Sequence, residues 1–106
     1  MEPIKIELNL EKLKAINGEL AELNFEPSSI RLINVKRSIL RQVGKKLMKK
    51  QIDVYPSNKT FKFKLEYYEA DQLESCLRMS IVDLGHREEH YHTLRMVADE
   101  INQKLA

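Results

Sequence analysis

Two short runs in this chain, 57 residues apart, alternate apolar and polar side chains with a period of two. The first is Ile4, Ile6, Leu8 and Leu10, separated by Lys5, Glu7 and Asn9. The second is Phe61, Phe63, Leu65 and Tyr67, separated by Lys62, Lys64 and Glu66. Successive side chains of a strand point to opposite faces, so each run predicts a half-buried β-strand, over 4–10 and 60–67. A sheet with one apolar face must be covered on that face. The remainder of the chain supplies a cover, because after each run the apolar spacing lengthens to that of a helix.

Asn9 can cap a helix over 10–23, whose Leu13, Ile16, Leu20 and Leu23 fall at helical spacing. Gly18 inside it costs about 1 kcal/mol relative to alanine. Asn24-Phe25-Glu26-Pro27 ends that helix, and Ser28 or Ser29 can cap the next. This second helix, over 29–50, places Leu32, Val35, Ile39, Val43 and Leu47 on one apolar stripe, with Ile33 and Leu40 at its edge. Arg37, Arg41, Lys45 and Lys49 form a basic row on the opposite side, with Lys46 and Lys50 flanking it. Ile52 and Val54 suggest a short strand, and residues 55–59 a turn in which Pro56 presets φ. The short strand would pair with 60–67 as a hairpin. A third helix is predicted over 69–84 from Ala70, Leu73, Leu77, Ile81 and Leu84, with Gly85 suited to its end. A fourth, over 87–105, carries Tyr91, Leu94, Val97, Ala98, Ile101 and Leu105.

The fold class is therefore α+β: two strand–helix–helix units with a short extra hairpin strand, forming a small antiparallel or mixed sheet plus four helices. The units, 4–50 and 60–105, match in apolar pattern. At an offset of 57, Ile4 meets Phe61, Ile6 Phe63, Leu8 Leu65, Leu13 Ala70 and Leu20 Leu77. At 58, Ile33 meets Tyr91, Ile39 Val97, Leu40 Ala98, Val43 Ile101 and Leu47 Leu105. The pattern predicts an internal pseudo-two-fold within one domain of 106 residues, enough chain for one core.

With 42% hydrophobic and 32% charged residues, the composition is that of a folded chain, not a disordered one. Stretches without charge are only a few residues long, which excludes a membrane-spanning helix. The run Met1–Glu7 lacks the basic start and apolar stretch of a signal peptide, and the single cysteine, Cys76, has no internal disulfide partner. Together these predict a cytoplasmic protein.

Chemistry-bearing motifs are few. His86-Arg87-Glu88-Glu89-His90 fits the H-x-x-E-H string of one class of zinc proteases, in which two histidines at spacing four share a helical face. A zinc site needs a third ligand, which the sequence does not mark, and Glu88 and Glu89 also suit the positive start of a helix. Cys76 has no histidine near it in sequence and lies by an apolar stripe. Gly18, Gly44 and Gly85 are too scattered for a phosphate-binding loop. No catalytic pair, metal site or cofactor motif is assigned.

Charge is the stronger signal. Net charge is +2, yet residues 27–64 carry +10, between −3 over residues 1–26 and −5 over 65–106. The basic centre either binds a polyanion or is neutralised by the flanking segments on folding. Three functional readings follow, in order. The first is a non-enzymatic protein-interaction or assembly module, binding another protein or itself as a homodimer. The second is nucleic-acid binding through the basic helix 31–50, with Arg37, Arg41, Lys45 and Lys49 on phosphates. The third is an enzyme or metal site around His86–His90. No membrane partner is expected.

Overall fold

The computed structural model describes residues 2–21, 29–84 and 91–106. Among these the order is β1 (Ile4–Leu8), α1 (Leu10–Ala21), α2 (Arg31–Val54), β2 (Phe61–Leu65), α3 (Tyr67–Leu84) and α4 (Tyr91–Leu105). The architecture is α+β, with one antiparallel sheet of two strands and four helices. No helix is long and apolar enough to cross a membrane, among the described residues.

Alternation decides the sheet's faces. In β1 the odd-numbered charges point out while Ile4, Ile6 and Leu8 are buried; in β2 Lys62 and Lys64 point out while Phe63 and Leu65 are buried. Ile4 faces Leu65, Ile6 faces Phe63 and Leu8 faces Phe61. Ile6 and Phe63 are themselves 57 residues apart, so a two-fold axis through that pair would exchange the strands in register. The outer edge of β1 is partly closed, because the Glu7 amide donates to Glu100 Oε2 of α4 at 2.9 Å.

Both strands are followed by a helix that starts two residues after the strand ends. Asn9 caps α1, accepting from the Lys12 amide at 2.9 Å. At the start of α3, Glu69 reaches back to accept from the Glu66 amide at 2.9 Å, the return half of a capping box. α1 packs on α2 and α4, and α3 packs on α4 and α2. Their apolar faces meet the sheet in one buried cluster drawn from every element, including Ile6, Leu8, Ile16, Leu47, Leu73, Leu77, Leu94 and Ile101. Each such side chain stabilises the fold by roughly 1.5–3 kcal/mol.

Three expectations are corrected. No strand forms at 52–54. α2 runs on through Val54, where helix continuity overrides the β-branched pattern, and it stops at Tyr55, just before Pro56. The sheet accordingly has two strands, without a hairpin between α2 and β2. Ser29 does not cap α2; Ile30 stands at the N-cap, with no side-chain bond to the helix. Finally, Leu10 and Tyr67 are not strand residues but the first residues of α1 and α3. Leu23, Ser28, Gly85 and the run from His86 to His90 lie outside the described residues.

Candidate functional site

α2 is 24 residues long, about 36 Å at 1.5 Å per residue, and only Val43 and Leu47 are buried on it. Ile39, Leu40 and Val54 pack against the core in part. The stripe expected to be buried is thus split. Its C-terminal part enters the core, but Leu32 is 63% exposed and Val35 48% exposed, with Ile30 at the cap 55% exposed.

Several polar contacts hold the C-terminal half of α2 to its neighbours. Asn17 Nδ2 of α1 donates to Gln51 Oε1 at 2.7 Å, leaving Asn17 Oδ1 buried without a partner. The Lys50 ammonium lies 5.0 Å from the centre of the Phe61 ring, and that of Lys14 lies 5.9 Å from the centre of Tyr55. The strongest anchor is Glu69 of α3. It is fully buried, and its carboxylate accepts from Lys46 Nζ at 2.9 Å and Gln42 Nε2 at 3.2 Å as well as from its own cap amide. The sequence analysis assigns no role to Glu69. The available signal was the Glu66-x-x-Glu69 spacing, obscured because the cap residue is itself acidic.

The basic row does not form one face. An α-helix turns 100° per residue, so a row at spacing four drifts about 40° with each step. Arg37 is half-buried, while Arg41, Lys45 and Lys49 are exposed. Arg41 and Lys45 rim a groove of about 390 Å³ against α1, floored by Leu20, Leu40, Gly44 and Met48. Lys49 has drifted to the other side. There it joins Lys46, Lys50 and Asp53 of α2, and Lys62 and Lys64 of β2, around a second groove of about 320 Å³. Sequence reasoning missed the contribution of β2, which exists only once the sheet is docked beside α2.

Cys76 is buried, and burial, then the charge of Glu19, pushes its thiol up to about 11. A neutral thiol of this kind is a poor nucleophile at physiological pH. Among the described residues, no three His, Cys, Asp or Glu side chains are grouped to hold a metal ion. His92, the described histidine, is exposed on α4, its ring edge-on to Tyr91 at 5.3 Å. No protein-family model, curated protein or solved structure matches this chain.

Proposed function

We propose that this chain is a non-enzymatic protein-interaction module that docks a partner protein along α2. The observation that carries the proposal is the exposure of Leu32 and Val35 on a helix whose later turns are built into the core. The two strands, and the helices after them, start 57 residues apart, which supports an internal repeat with α2 and α4 as counterparts. At the offset of 58, the residues of α4's half opposite Leu32 and Val35 are His90 and Thr93. The first half is apolar where the second is polar, as expected of a surface kept for a partner.

The chemistry of the partner follows from charge. Residues 31–50 hold eight basic side chains and no acidic one. A segment that lays apolar side chains on Leu32 and Val35, and one into the groove floored by Leu20 and Leu40, would carry acidic residues on its flanks: an acidic amphipathic helix. Self-association is the second reading. A symmetrical dimer through α2 would bring two basic helices together, which favours a different protein as the partner.

A designed helix with leucines at spacing three and four and glutamates elsewhere tests this by calorimetric titration. Binding at roughly micromolar affinity, lost in the Leu32→Glu/Val35→Glu double variant with folding intact, supports it. Failure to bind at any accessible concentration, or equal binding by the double variant, refutes it. Light scattering on the same samples reports the dimer.

A further inference from the structure

The groove between α2 and β2 lies on the opposite side of α2 from the groove rimmed by Arg41 and Lys45, and it answers to a different chemistry. Lys46, Lys49 and Lys50 reach it from the helix and Lys62 and Lys64 from the strand, with Asp53 the one acidic side chain lining it among the described residues. Lys46 is committed to Glu69, and Lys62 approaches Glu7 at 3.6 Å, yet both side chains keep much of their surface in water. On the sheet's outer face Lys5 stands directly opposite Lys64. Like charges opposed across strands destabilise a sheet. Nothing in the packing of the fold requires them there, since both point away from the core.

We propose that this lysine groove binds the phosphate backbone of duplex nucleic acid without reading its sequence. Three features select that ligand. A protein interface has an apolar centre, whereas here Phe63 is buried beneath the lysines and Phe61 is half-buried against Lys50. Single strands are held by stacking on open aromatic faces, and neither ring offers one. Base edges are read most selectively by the fixed planar groups of Arg, Asn and Gln, whereas a lysine ammonium is a point charge with freely rotating donors; none of the three planar types lines the groove among the described residues. What remains is a set of point charges suited to phosphates. Lys62 and Lys64, two residues apart and about 6.6 Å from each other along the strand, add two of these charges on the same face. The site goes beyond docking on Leu32 and Val35 and shares no residue with it, so either can fail alone.

Fluorescence anisotropy with labelled duplex DNA and duplex RNA of roughly 20 base pairs, across a salt series, tests the proposal. The variants are Lys49→Gln/Lys64→Gln and a charge-matched control, Lys36→Gln/Lys104→Gln, whose side chains are exposed and line neither groove. We expect binding by at least one duplex. The groove pair should weaken it by about tenfold or more and lower the log–log salt slope by about 1.8, two phosphate contacts at about 0.9 each. The control pair should change affinity less than about threefold, and Lys49→Arg/Lys64→Arg should restore it. Absence of binding to both duplexes at low salt overturns the proposal. So does an equal loss in both pairs, or polyglutamate binding as tightly with the same dependence on Lys49 and Lys64. Circular dichroism on each variant confirms that the fold is retained.

Discussion

α2 and α4 are the second helix after each strand, and they use their apolar residues in opposite ways. α4 is 15 residues long and buries Tyr91, Leu94, Val97, Ala98 and Ile101. α2 is 24 residues long and buries Val43 and Leu47. The shorter helix is a structural element along its whole length. The C-terminal half of the longer one is tied to α3 through Lys46 and Glu69, to α1 through Gln51 and Asn17, and to β2 through Lys50 and Phe61, whereas Leu32 and Val35 in its early turns stay exposed. Length and amphipathic pattern therefore say little about how much of a helix a fold consumes. What decides is whether a neighbour stands opposite each turn.

The comparison breaks most visibly at full burial. Leu94 of α4 is completely enclosed, so Leu94→Ala should cost about 3–4 kcal/mol in urea denaturation. A loss below about 1 kcal/mol would mean that α4 is no better packed than the early turns of α2. Glu69→Ala comes next. It removes the charge partner of Lys46, the Gln42 bond and the cap bond together, and should cost about 3 kcal/mol, with Glu69→Gln nearer 1 kcal/mol. If Glu69→Ala were neutral, the polar anchor of α2 would be without consequence and apolar packing would hold it alone. A smaller effect of opposite sign is expected in α1. A methyl group at Gly18 would meet nothing within 4 Å, so Gly18→Ala should stabilise by about 1 kcal/mol through helix propensity, raising Tm by about 4–8 °C. A loss of stability would show that α1 needs close approach at that point.

Much of this fold could be read from the residues. The two strands were placed within two residues of their observed ends, because charges alternate with apolar side chains through both. The overshoot has a common cause. Leu10 and Tyr67 continue the period of two, but the same positions open helices capped by Asn9 and, at the second, by Glu66 with Glu69. The strand expected at 52–54 failed because local β preference is weak against a helix already propagating and packed through Val54. The candidate surface was harder to see. Its residues were legible, but their faces were not, since a row at spacing four winds about 40° per step and so divides between two grooves. Lys62 and Lys64 join that surface only through the docking of a different element. The exposure of Leu32 and Val35 was invisible for the same kind of reason: an amphipathic stripe looks alike whether or not something covers it.

The most direct measurement is the one with the smallest expected effect. Urea denaturation of the Leu32→Glu/Val35→Glu double variant, beside the parent chain, asks whether the early turns of α2 belong to the core or to a partner. With both side chains exposed, the double variant should unfold within about 0.5 kcal/mol per substitution of the parent, with an unchanged dependence on urea. A loss of about 3 kcal/mol or more would place the stripe in the core, and would contradict the assignment of α2 as the docking helix.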